Sequence, residues 1–179
     1  MSEWIYQTDA DNTARYVLGC ITDPSAPTLI VMSINPSIGA PDNTDPTLGT
    51  IRHISADYGY KNWIILSLYP QRATHLNELD EIANPEWTAE NLKVINDILS
   101  QYPGTKIWAA WGTHIQDRWY FPVQLAKIGP IADKYGDTWM NYGPLTEAGD
   151  PRYCLYLEDG EGWSDFDMSA YLQNIEGRR

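Results

Sequence analysis

Basic residues are scarce in this chain. Twelve Lys and Arg stand against 24 Asp and Glu, giving a formal charge of −12 and a pI of about 4.4. Only four of the basic residues, Arg15, Arg52, Lys61 and Arg72, precede position 91, and no stretch is a run of Lys and Arg. Phosphate neutralisation supplies most non-specific DNA affinity, so tight binding to duplex DNA is not expected. Phenylalanine is also rare: 2 Phe accompany 8 Trp and 12 Tyr. Rings with a polar tip suit buried or half-buried places where that tip finds a partner. Only 2 Cys are present, Cys20 and Cys154, both in apolar surroundings. They read as buried free thiols of a cytoplasmic protein. No apolar run approaches the ~20 residues of a membrane span. Met1 to Asp11 lacks the basic and apolar regions of a signal peptide.

What is present fits one domain. Apolar residues make up 43% of the 179, enough for a core. There is no repeat and no low-complexity linker. Residues 176–179 are read as a flexible tail. Arg15 to Ile21 alternates weakly, as a strand would. Thr28 to Ile34 and Asn62 to Leu68 are nearly continuous apolar runs, the pattern of strands covered on both faces. Thr105 to Trp111 is a third such strand. Tyr135 to Tyr142 and Tyr153 to Leu157 are shorter ones. Asp45 before Pro46 offers a helix cap with proline at the first helical position, and Gly59 ends that helix. Asn84-Pro85 opens a second helix with Leu92, Ile95, Ile98 and Leu99 on one face. His114 to Ile128 is predicted helical, interrupted or kinked at Pro122. Asp167 caps a last helix through Ile175. The alternation implies an α/β sandwich with a mainly parallel sheet, whose ligands bind beyond the carboxyl ends of the strands.

Three short segments follow strands and carry the candidate chemistry. In the first, Asn35-Pro36-Ser37 leads to Asp45-Pro46-Thr47 and Arg52. The Asn35 amide could orient a base or sugar, and Asp45 could act as general base for water. Turn and cap chemistry alone would also place these residues there. In the second, Arg72-Ala73-Thr74 ends a buried strand, and Arg72 could hold a phosphate or carboxylate, or pair with a local acid. The third is Trp111-Gly112-Thr113-His114, where Trp111 could stack a base and Gly112 could let a ligand approach the backbone. A core Trp beside a Gly turn is the alternative. Arg118 follows as a further cation that could converge on the same pocket. His53, His75 and His114 share no helical spacing and have no Cys/His cluster beside them, so no metal site is expected. No Gly-rich phosphate loop and no nucleophile elbow is present, and no cofactor is expected. The acidic stretch Glu158 to Asp167 reads as a solvated loop.

In this order and spacing, Asn35-Pro36-Ser37, Asp45-Pro46-Thr47 with Arg52, Arg72-Ala73-Thr74 and Ala110-Trp111-Gly112 resemble a bacterial and phage family known as domain of unknown function 1643. The likeness spans Arg15 to Leu157. That family is in turn distantly similar to the uracil-DNA glycosylase superfamily, in which an Asn-Pro or Asp-Pro loop activates water and a His-Pro-Ser loop follows near the end. The resemblance implies a three-layer α/β/α sandwich with Asn35 and Asp45 as catalytic residues. It also implies a ligand pocket formed with Pro36, Ser37, Arg52, Arg72, Thr74, Trp111, Gly112, Arg118 and Tyr153. One position departs from the pattern. Gly149-Asp150-Pro151-Arg152-Tyr153-Cys154 places Tyr153 where the family carries His. Losing such an electrostatic donor removes roughly 3–4 kcal/mol of transition-state stabilisation. Three functions are therefore weighed: hydrolysis of an N-glycosidic bond, non-catalytic binding or sequestration of a nucleotide, and an acidic protein-interaction or DNA-mimic role. The expected partner is a nucleotide or a base of a single strand. No membrane partner is expected, and the oligomeric state is left open.

Overall fold

The computed structural model describes residues 1–155 and 157–178. Seven strands, β1 (Glu3–Thr8), β2 (Arg15–Ile21), β3 (Thr28–Ser33), β4 (Asn62–Ser67), β5 (Lys106–Ala109), β6 (Thr138–Tyr142) and β7 (Trp163–Asp165), form one sheet in the order β1-β2-β4-β3-β5-β6-β7. Four helices, α1 (Pro46–Asp57), α2 (Pro85–Gln101), α3 (Tyr120–Lys134) and α4 (Met168–Gly177), complete the α/β architecture.

The strand sequences explain which faces are covered. Along β3, Leu29 and Val31 point to one apolar cluster and Ile30 and Met32 to another. In β4, Trp63 and Ile65 share the first cluster, and Ile64 and Leu66 share the second. Period-2 alternation thus feeds two cores from continuous apolar runs. Leu48, Ile51 and Ile54 of α1 close the first cluster. The second is closed by Val94 and Ile95 of α2, Leu125 and Ile128 of α3, and Tyr171 and Ile175 of α4. Each such buried aliphatic stabilises the fold by about 1.5–3 kcal/mol.

The helix starts follow from local chemistry. Asp45 caps α1, its Oδ1 accepting from the Leu48 N–H at 2.8 Å, with Pro46 next in line. Asn84 caps α2 through the Glu86 and Trp87 N–H groups at 2.9 and 3.2 Å. Asp167 caps α4 through the Ala170 N–H at 2.9 Å.

Five expectations are corrected. The sheet is mixed rather than mainly parallel. The pairs β4·β3, β3·β5 and β5·β6 are parallel, while β1·β2, β2·β4 and β6·β7 are antiparallel. The β2–β3 link, residues 22–27, is too short for the crossover of a dozen or more residues that a parallel neighbour needs. The two strands instead flank β4, and the Asn62 side chain fastens their link by accepting from the Thr22 and Asp23 N–H groups at 2.8 and 3.0 Å. Both outer strands went unassigned from sequence. β1 and β7 are exposed edges without a buried apolar run, and pairing rather than local pattern creates them.

Residues 153–155 and 157 form irregular chain and turn instead of a strand, and Tyr156 lies outside the described residues. Part of the acidic stretch expected as loop pairs with β6 as β7. The predicted helix His114–Ile128 divides into a 3₁₀ turn, Thr113–Gln116, and α3, which runs six residues further, to Lys134. Pro122 causes no break because it falls in the first turn of α3, where backbone N–H groups have no partner within the helix. Finally, α4 continues two residues beyond the expected Ile175, to Gly177, and Arg178 Nη1 pairs with the Asp150 carboxylate at 2.9 Å. Among the described residues, no helix is long and apolar enough to cross a membrane.

Candidate functional site

The loops after β3 and β5 meet the N-terminus of α1 and the Tyr153 segment around a cavity of about 380 Å³. Asn35, Asp45, Thr74, His75, His114 and Tyr153 are among its walls. A small chamber of about 10 Å³ shares the walls Asn35, Ser37, Asp45, Thr47 and Tyr153 with it and adds Arg15 and Ser33. A further cavity, of about 460 Å³, lies between β1, β2 and α2 around Ile5, Val17 and Ile98. It has fewer chemically active groups and sits away from the ends of the parallel strands, so the strand-end cavity is the candidate site.

Asn35 fastens this region. Its Nδ2 donates to the carbonyls of Pro36, Gln71 and Ala73 at 2.9, 3.3 and 3.1 Å, which joins the loops after β3 and β4. Its Oδ1 receives no protein donor among the described residues. Pro36 contributes its carbonyl to the same junction, accepting from the Ala73 N–H at 3.0 Å. The Ser37 and Thr74 hydroxyls lie 3.3 Å apart on the cavity wall.

Asp45 is 8% exposed, and both its oxygens are engaged. Oδ1 caps α1, and Oδ2 accepts from the Gly39 N–H at 3.1 Å. Its place on the cavity wall is thus fixed by helix capping and loop closure. Thr47, the second residue of α1, brings its hydroxyl to 3.2 Å from the Tyr153 hydroxyl and ties the Tyr153 segment across the mouth.

Trp111 contributes to the cavity wall but is packed into the core rather than presented as an open stacking platform. It is 1% exposed, with Trp139 and Phe166 edge-on at 5.8 and 5.7 Å between ring centres. Its Nε1 donates to the Tyr171 hydroxyl at 3.0 Å, which donates to the Asp150 carboxylate at 2.7 Å. Burial and the Asp150 charge push the Tyr171 phenol well above its ordinary pKa, so it stays a neutral donor in this chain of bonds. An indole covered this way has no open face for a base; it anchors the strand end instead.

Gly112 does permit a close approach, but by protein. Its φ is +76°, and a Cβ there would sit 2.9 Å from Tyr153 Cβ. The Gly112 N–H donates to the Pro151 carbonyl at 3.0 Å, seating the loop that delivers Tyr153.

The three arginines expected to converge do not do so. Arg52 is exposed on α1 and lines neither chamber nor cavity. Arg118 donates to the carbonyls of Leu79, Leu76 and Asp80 at 2.9, 3.3 and 3.3 Å, holding the 3₁₀ turn Leu76–Glu78. Arg72 sits behind the β3 loop. It donates to the carbonyls of Ser37 and Gly39, to Asn12 Oδ1 at 3.2 Å and to the Tyr6 hydroxyl at 2.6 Å.

The cation at the site is Arg15, which sequence reasoning took for an ordinary strand residue. It is 5% exposed, lines the chamber, and donates from Nη1 to the Gly39 carbonyl at 2.9 Å. Burial, and secondarily the Arg72 charge, lower its pKa to about 10, so it remains protonated at neutral pH. A charged residue opening an otherwise apolar buried strand was the available signal. His75 and His114 were likewise passed over as site residues. They stand 39 positions apart in sequence yet share the cavity wall. His114 Nδ1 lies 2.6 Å from an Asp117 carboxylate oxygen.

The expectation of no metal site rests on histidine spacing and takes no account of acidic partners. His53, Asp57 and Asp159 bring one ligand atom each to within 4.8 Å of one another, away from the cavity. All three are exposed, and ordinary ion pairing of His53 with Asp159 at 2.9 Å and Asp57 at 3.4 Å accounts for the cluster. Cys154 is fully buried, and burial pushes its thiol up to about 12, so it has no nucleophilic role here.

Among known proteins, residues 15–153 match the family described as Protein of unknown function (DUF1643). Neither a curated protein nor a solved structure matches the chain.

Proposed function

The chain belongs to this family of unknown function, DUF1643, and from its site we propose that it recognises a nucleotide or nucleobase in the cavity at the ends of the parallel strands. The observation that carries this reading is the cavity itself. At about 380 Å³ it has the size of a small-ligand site, and Asn35 and Ser37 from the loop after β3 and Thr74 from the loop after β4 offer polar atoms. Such loops at strand ends are where open α/β sheets bind ligands. Helices on both faces of the sheet agree with a three-layer, glycosylase-like arrangement. The Asn35 Oδ1 would accept from an exocyclic amine or ring N–H, and the hydroxyls of Ser37 and Thr74 can both donate and accept.

Binding without turnover is the leading form of this proposal. Asp45, the expected base, spends both oxygens on backbone N–H groups, and Tyr153 stands where a glycosylase-like site would place a cationic donor. Hydrolysis of an N-glycosidic bond is the second reading, and His75 and His114 on the cavity wall favour it. Calorimetry against nucleobases, nucleosides and mononucleotides tests recognition. Chromatography of the same mixtures after long incubation tests turnover. Saturable binding with the ligand recovered intact is expected. A released base that disappears in His75→Ala or His114→Ala would move the assignment to the hydrolase. Absence of binding by all three ligand classes would overturn recognition.

A further inference from the structure

Two guanidinium groups meet at a single carbonyl in a protein of net charge −12. Arg15 Nη1 and Arg72 Nη1 donate to the Gly39 oxygen at 2.9 and 3.3 Å. Neither arginine forms an ion pair with a carboxylate among the described residues, whereas Arg152 and Arg178 both do. Arg72 spends its Nε, Nη1 and Nη2 on four protein acceptors. Arg15 spends Nη1 alone, and its other guanidinium N–H groups have no protein acceptor among the described residues. A buried charge is ordinarily paired and hydrogen-bonded, because leaving it otherwise is costly. Asp45 is one acid on the chamber wall facing two cations, and both its oxygens are taken by backbone N–H groups.

The chamber beside Arg15 has the dimensions for the missing partner. Its volume of about 10 Å³ is about that of one water-sized atom, and it shares five walls, Asn35, Ser37, Asp45, Thr47 and Tyr153, with the main cavity. A molecule in the main cavity can therefore place a single oxygen in the chamber. We infer that the ligand of this site is an anion, and that Arg15 is the residue that recognises it by binding one carboxylate or phosphate oxygen in the chamber. The Ser37 hydroxyl lies on the same wall for a second bond. This rests on the strand-end cavity being the ligand site, and it names the charge of the ligand and the residue that reads it. A charge-assisted bond from guanidinium is roughly twice as strong as a neutral one, which makes Arg15 the discriminating contact.

The test compares wild type, R15Q and R15K at pH 7.5 and constant ionic strength, with folding checked by circular dichroism. The probes are inorganic phosphate, acetate, a nucleoside 5′-monophosphate and the matching nucleoside, with chloride as reference. Phosphate or acetate should raise the wild-type melting midpoint above the chloride control. The monophosphate should bind at least about tenfold more tightly than the nucleoside. R15Q should abolish both effects and R15K should weaken them. If R15Q fails to fold, the Arg15 Nε–H resonance of wild type provides the readout, and phosphate should shift it. An unshifted resonance, or an anion preference equal in wild type and R15Q, overturns the inference. Nucleoside binding with no preference for the charged form also overturns it, while sparing the nucleobase reading. An Arg15-dependent response to phosphate without nucleoside binding upholds it and removes the nucleobase instead.

Discussion

Gly112 shows how a single residue governs the site without touching a ligand. Its positive φ is one that other residues adopt only under strain, and its missing Cβ leaves room for Tyr153. G112A should cost about 1–3 kcal/mol in chemical denaturation, from the combined backbone strain and the contact with Tyr153. A variant as stable as wild type would show that the Tyr153 segment has slack. The same scale holds the least expected finding. Arg15 is one basic residue among few, and its significance lies in what is absent around it among the described residues: acceptors for its remaining N–H groups. The motif Asn35-Pro36-Ser37 was visible in the sequence. That its amide nitrogen is consumed by three carbonyls was not, because two of those carbonyls lie in residues more than thirty positions away.

At the scale of elements, α1 does most to shape the cavity. Its cap residue Asp45 also fastens Gly39, and its second residue, Thr47, fastens Tyr153. A helix terminus thus sets the positions of two loops. D45A should lower stability by about 1–2 kcal/mol, whereas D45N, which keeps an accepting oxygen at the cap, should lose much less. The pair also separates capping from catalysis, since a general base would be lost in both variants. Should D45N prove as unstable as D45A, the charge rather than the cap would be the stabilising feature. The helices that sequence located well, α1 and α2, carry caps, an adjacent proline and an apolar stripe within one short window. The strands that it missed, β1 and β7, are three to six residues long, exposed, and defined by partners elsewhere in the chain.

For the whole molecule, the acidic balance and the site now fit together. The excess of acid is general, while Arg15 and Arg72 place positive charge at one point beneath the cavity. A small anion can reach such a point, while the net charge of −12 disfavours a duplex. No binding to a 20-base-pair duplex is accordingly expected in a gel-shift or anisotropy assay at about 150 mM salt. Affinity at that salt, with a slope indicating several phosphate contacts, would overturn this expectation.

The sequence by itself determined the parallel centre of the sheet, the capped helices and the two cores, because apolar period and capping act over a few neighbouring residues. Asn35, Asp45, Thr74 and Tyr153, which the family resemblance implies for one ligand pocket, line one cavity in the fold. Only the tertiary structure decided that β2 runs against β4, that Trp111 belongs to the core, that His75 and His114 share a wall, and that Arg15 rather than Arg52 or Arg118 is the cation at the site. The reason is the same in each case. Strand direction, burial of a ring and compensation of a charge are set by groups distant in the chain, and no local pattern records which of them will meet.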